Sequence, residues 1–262
     1  MEQLHTETDT TDLDELPFAA PCNKLTLGAP IKWLRLGLAD IRRAPKQSLS
    51  YGATMVFISL LVSFIAVRFG NFYSLMVMLS GFIFIGPVIA IGLYSISCQL
   101  QLGQRPVLGY CLREGRRHFG NTLLFAMVML VVFMLWARAA SMVHVFFPMH
   151  SHAAWHEYAT FLSIGSVVGA LFSALIFCAS AFSLPMIMDR KADMITAMVT
   201  SVNAVLLNKR VMLVWAGLIL LCLLIGFATA FIGLLVLLPL IGHATRHAYQ
   251  ETIDASAWPK HD

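Results

Sequence analysis

The chain has 262 residues, 58% of them hydrophobic and only 12% charged, with a formal net charge of +4. That balance excludes a soluble one- or two-domain protein. A hydrocarbon core of roughly 30 Å takes about 20 helical residues, and the apolar residues fall into runs of that order, which predicts an all-α polytopic membrane protein.

The first twenty residues hold six acidic residues (Glu2, Glu7, Asp9, Asp12, Asp14, Glu15) and no basic one. They lack the basic start of a signal peptide, and residues 1–24 read as a disordered acidic cytoplasmic tail. Next, Ile31, Leu34, Leu38 and Ile41 recur at helical spacing with Lys32, Arg35, Asp40 and Arg43 off the stripe. This predicts an amphipathic helix in the headgroup layer. Spans follow at about 48–67 and 72–97. Leu112-Arg-Glu-Gly-Arg-Arg117 then repeats the pattern of Leu38-Ala-Asp-Ile-Arg-Arg43 ahead of spans at 121–143 and 158–188. A weaker third copy has Ile195, Met198, Val202 and Val205 on one helix face, with Asp193 as its cap.

The apolar block 211–242 is either one strongly tilted helix or a hairpin of spans 211–226 and 227–242 turning near residues 226–229. Charge favours the hairpin. Sixteen of the eighteen Lys and Arg residues then share one side, with only Arg68 and Arg138 opposite, which places both termini and the tail 253–262 in the cytoplasm. Tyr51, Tyr94, Trp215 and Tyr249 would belong to the inner aromatic belt, and Tyr73, Trp136 and Tyr158 to the outer one. The second span of each pair contains a proline: Pro87, Pro185 and Pro239. The expected architecture is a six-transmembrane-helix bundle of three units within residues 25–252, each an interfacial amphipathic helix followed by a helical hairpin. Gly165, Gly169 and Ser173 give the fourth span a small-residue face suited to close helix packing. None of the five cysteines falls in an outer loop, so no disulfide is implied.

Phe182-Ser-Leu-Pro-Met-Ile-Met-Asp-Arg190, the following Ala197, Ser201 and Asn208, and above all Leu238-Pro-Leu-Ile-Gly-His-Ala-Thr-Arg-His-Ala-Tyr249 resemble the signature segments of an uncharacterised bacterial inner-membrane family, domain of unknown function 2189. The resemblance covers roughly residues 25–252. Its most specific part is the closing Gly-His-Ala-x-x-His-Ala-Tyr; the x-x pair often includes Trp in that family, where this chain has Thr245 and Arg246. The resemblance implies membrane topology and brings no established activity.

His243 and His247, four residues apart, share one face where the last helix leaves the bilayer. As cofactor-binding candidates they could hold a metal ion or give an axial ligand to haem; otherwise they bond helix ends or lipid phosphates. A second cluster, His144, His150, His152 and His156 in the outer loop, could take up Cu or Zn, or be simply solvated. Asp189 and Arg190 read as a cap or local ion pair at the bilayer boundary. Phosphate-binding loops, nucleophile elbows and His-Glu-x-x-His are missing from the sequence, and the spans carry no mid-membrane charge.

The leading expectation is a non-enzymatic bacterial inner-membrane scaffold or accessory factor. Its partners would be the lipid bilayer and other membrane proteins or a second copy, with no nucleic acid. A carrier of a small or lipidic solute and a haem- or metal-handling protein linked to respiratory complexes are the alternatives.

Overall fold

A computed structural model describes residues 17–70, 78, 91–107, 109, 119–146 and 155–260. The regular elements among them are helices: α1 Ala29–Arg43, α2 Pro45–Phe69, α3 Ile91–Gln101, α4 Phe119–Phe146, α5 Trp155–Ser180, α6 Ser183–Asp189, α7 Met194–Leu207, α8 Lys209–Ala228 and α9 Leu234–Thr252. The chain is all-α, as its composition predicts. Four stretches are long and apolar enough to cross a membrane: Pro45–Arg68, Gly120–Val143, Trp155–Asp189 and Lys209–Ala228. They match the expected first, third, fourth and fifth spans. Most of the expected second span, and the amphipathic copy at 112–117, lie outside the described residues.

The core sits at one end of these long helices. Trp33 of α1 meets Trp215 of α8 edge to face at 5.5 Å between ring centroids, and Phe182, Met186, Tyr249 and Trp258 fill the space around them. A second cluster joins Tyr94, Phe125, Ile176 and Leu184. In the apolar 18-residue stretch of each candidate span at most 22% is buried, which leaves most of that surface for lipid.

Helix α9 is the central element and packs on α1, α2, α3, α6 and α8. Glycines bring its neighbours close. A Cβ at Gly37 of α1 would lie 2.9 Å from both the Ala244 nitrogen and the Leu240 oxygen. Gly52 of α2 abuts the carbonyl of Leu235 and the ring of Pro239. That carbonyl is the one a proline four residues on leaves without its helical donor.

Several expectations change. Residues 20–24 and 253–260, assigned by sequence to terminal tails, pack together: Asn23 N donates to Thr252 O (2.8 Å) and Asp254 N to Pro21 O (2.9 Å), and Trp258 is buried. The expected continuous span 158–188 is broken after Ser180. Pro185 has no N–H for the preceding turn, and Ser201 compensates at the break, accepting from Phe182 N (3.1 Å) and donating to Cys178 O (2.7 Å). Residues 211–242 form two helices, with the reversal at 229–233 rather than 226–229; Ala230 and Phe231 are left-handed (φ 49° and 69°). The uninterrupted apolar run of α9 is short, 234–241, roughly 12 Å of helix.

The buried face of α1 is Trp33, Gly37, Asp40 and Ile41, while Ile31 and Leu38 point outward. Likewise α7 buries Ala197, Thr200, Ser201 and Ala204 and exposes Ile195. Both helices thus bury small or polar residues together with a few large apolar ones, Trp33 and Ile41 of α1 and Val205 of α7, since small residues let membrane-embedded backbones approach closely. Tyr94, Trp215 and Tyr249 are core residues instead of an interfacial belt. Asp193 does cap α7, accepting from Ile195 N (2.9 Å) and Thr196 N (3.1 Å). Burial disfavours its ionisation, but these hydrogen bonds prevail and hold its carboxyl below the usual range. Among the described residues, nothing lies within 4 Å of a Cβ placed at Gly165 or Gly169, which the sequence assigns to a packing face.

Replacing Gly52 by Leu pushes α2 off α9 and is expected to cost about 3 kcal/mol, whereas Gly165→Ala is expected to be neutral or to stabilise by up to about 1 kcal/mol. Thermal unfolding in detergent measures both, and a Gly52→Leu melting temperature equal to wild type would contradict the tight α2–α9 contact.

Candidate functional site

The second half of α9, from Gly242 to Thr252, carries polar side chains into the core because neighbouring helices supply partners on two of its faces. On one face, four helices contribute one network. His243 Nδ1 lies 2.6 Å from Ser97 Oγ of α3, and its Nε2 lies 2.9 Å from Ser48 Oγ in the first turn of α2. Ser97 Oγ donates to Asp40 Oδ2 at the end of α1 (3.0 Å), and His247 Nε2 meets the same oxygen at 2.9 Å. With a neutral imidazole these bonds select one tautomer: Ser97 already donates to Asp40, so it accepts from His243 Nδ1–H, and Nε2 accepts from Ser48. Ser48, Ser97 and His243 are each 0% exposed.

The other face meets the end of α6. Asp189 Oδ1 accepts from Arg246 Nη2 at 2.6 Å, and Oδ2 accepts from Arg190 Nε (3.1 Å) and the Tyr249 hydroxyl (3.2 Å). Arg190 Nη1 continues to the Trp258 carbonyl (2.8 Å), and Lys191 N donates to Pro259 O (2.9 Å). The C-terminal segment is thereby strapped across the α6–α7 junction. Arg246 is 3% exposed, and its Nε has no hydrogen-bond partner among the described residues. Two arginines sharing one carboxylate keep positive charge inside the protein. Asp189 and Arg190 form the local ion pair expected of them, with Arg246 and Tyr249 added.

The i, i+4 spacing does put His243 and His247 on one face, but it joins them through Ser97 and Asp40. Both ring nitrogens of His243 are engaged by hydroxyls, so ligation of a metal or haem iron there would require one of these buried bonds to break. In the second cluster, His156 is exposed in the first turn of α5, while His150, His152 and the side chain of His144 lie outside the described residues. Among the described residues no group of three or more His, Cys, Asp or Glu is placed to hold a metal ion. Sequence reasoning missed Ser48 and Ser97, which carry no spacing signal. It took Asp40 for the polar face of an interfacial helix; a single acid between Arg and Lys residues ahead of the first span was the available clue.

Replacing Ser97 by Ala leaves His243 Nδ1–H without its partner and is expected to cost about 1–3 kcal/mol, measured by thermal unfolding. Replacing Asp189 by Ala strands the buried Arg246 charge, for an expected loss of about 3–5 kcal/mol. The pair Asp189→Ala/Arg246→Met is expected to recover part of that loss, and a double variant no more stable than Asp189→Ala would contradict the pairing.

No curated protein and no solved structure matches the chain. A family model does match, over residues 75–189. That stretch holds most of the Phe182–Arg190 segment, whereas the closing His-Ala-Tyr motif, and much of the 25–252 extent expected of the resemblance, lie beyond it. Across residues 75–189 the chain carries the sequence pattern of the DUF2189 family, described as "Predicted integral membrane protein".

Proposed function

We propose that the protein is a non-enzymatic scaffold or accessory factor of a bacterial inner membrane, with both termini cytoplasmic and six crossing segments arranged as three hairpins. One observation carries the reading: among the described residues, the polar and ionisable side chains gathered around α9 are turned on one another. Ser48, Ser97 and His243 are wholly shielded, and Asp40, Asp189 and Arg246 bond across helices, so these groups fasten helices and meet no substrate. The pairing of residues 20–23 with 252–254 supports an even number of crossings, because the two ends of the chain meet at one end of the helices. The sixteen-to-two division of basic residues supports the cytoplasmic placement of that end. The open surface at Gly165 and Gly169 suits the approach of another membrane helix.

A fluorescent reporter and a phosphatase reporter fused after Asp262 test the topology. The expected outcome is a bright fluorescent fusion and an inactive phosphatase, and the reverse pattern contradicts it. For the role, purification in mild detergent is expected to yield a membrane-protein partner in fixed ratio and no turnover by the isolated chain; catalytic turnover by that chain overturns the proposal.

A further inference from the structure

The junction between α7 and α8 is held by a side chain that reaches back to the N-terminal segment. Asn208, 6% exposed, accepts from Leu25 N at 2.9 Å and donates to the carbonyls of Asn23 (2.9 Å) and Ala204 (3.2 Å). Lys24 lies between the two residues so held. Its backbone is therefore held at Asn208, the residue that immediately precedes Lys209 and Arg210 at the start of α8. All three cations are exposed. The carboxylate on the adjoining part of α9, Glu251, is engaged by Lys32 (3.1 Å) and Trp33 Nε1 (2.8 Å) and does not neutralise them.

Large apolar side chains are exposed close to these charges in the chain: Leu213, one turn into α8, is 75% exposed, and Leu27, three residues after Lys24, 64%. Lys209–Ala228 is itself a candidate span, so its first residues lie at the depth of lipid headgroups. A soluble anion would match the cations and leave the leucines in water. A phospholipid matches both, with its phosphate among the cations and its acyl chains along Leu213. We propose that Lys24, Lys209 and Arg210 form a binding site for the headgroup of an anionic phospholipid, assembled by Asn208. The proposal rests on the membrane embedding of α8 and is independent of the scaffold role.

The test is thermal unfolding of the detergent-purified full chain titrated with phosphatidylglycerol, phosphatidylcholine or inorganic phosphate. Phosphatidylglycerol is expected to stabilise wild type more than phosphatidylcholine does, and inorganic phosphate is expected to have little effect. Lys24→Gln/Lys209→Gln/Arg210→Gln is expected to weaken the phosphatidylglycerol response at least about fivefold. Asn208→Ala, which keeps every charge and frees the 23–25 segment, is expected to weaken it too. Arg68→Gln/Arg138→Gln at the opposite end should leave it intact. Equal responses to the two lipids, a full response in the triple variant, or equal stabilisation by phosphate alone overturns the site. A chain that stays dispersed and folded without detergent would instead overturn the membrane embedding.

Discussion

Close backbone approach between α9 and its neighbours is the constraint on which the packed end depends. Gly37 lets α1 lie against the backbone of α9 at Leu240 and Ala244, and Gly52 lets α2 do so at Leu235. With the axes this close, short side chains can bridge them. Ser48, Ser97 and Asp40 reach His243 and His247 with single hydrogen bonds of 2.6–2.9 Å. Longer side chains would be needed at wider spacing, at greater entropic cost. Glycine packing and the polar network are thus one device, the first giving the separation and the second the register.

The bilayer as solvent explains why both amphipathic helices turn the face they do. In water a helix gains by hiding its large apolar residues against protein. Against lipid that gain vanishes, and packing and hydrogen bonding decide instead. In α1 Gly37 and Asp40 are buried beside Trp33 and Ile41 while Ile31 and Leu38 stay outside, and α7 buries Ala197, Thr200, Ser201 and Ala204 beside Val205. The buried hydroxyls also answer backbone groups: Thr200 accepts from Ala20 N (3.0 Å), and Ser201 serves both sides of the break after α5. Unbonded backbone groups near a membrane are costly, so a proline-induced break is tolerated where such a hydroxyl stands opposite it.

Charge is sorted by the same physics. Asp189, Arg190 and Arg246 lie at the end where the basic residues gather, not along the spans, and their shared carboxylate ties α6 to α9. Lys209 and Arg210 are exposed at the start of the candidate span Lys209–Ala228.

The sequence alone determined the helical class and the four candidate spans found among the described residues, because a 20-residue apolar run has a solvation preference that follows locally from composition. The Asp193 cap was legible for the same reason, since its partners lie two and three residues away. His243 and His247 were legible as a pair on one face, but their partners were not. Ser48 and Ser97 lie 195 and 146 residues from His243, and hydrogen bonding to a hydroxyl leaves no trace in spacing. Only the tertiary structure decided which face of α1 and α7 turns inward, that the terminal segments pair with each other, and that Asn208 holds the backbone of Asn23 and Leu25. Each of these depends on how closely two backbones approach, which is set by the partner helix and not by the segment itself.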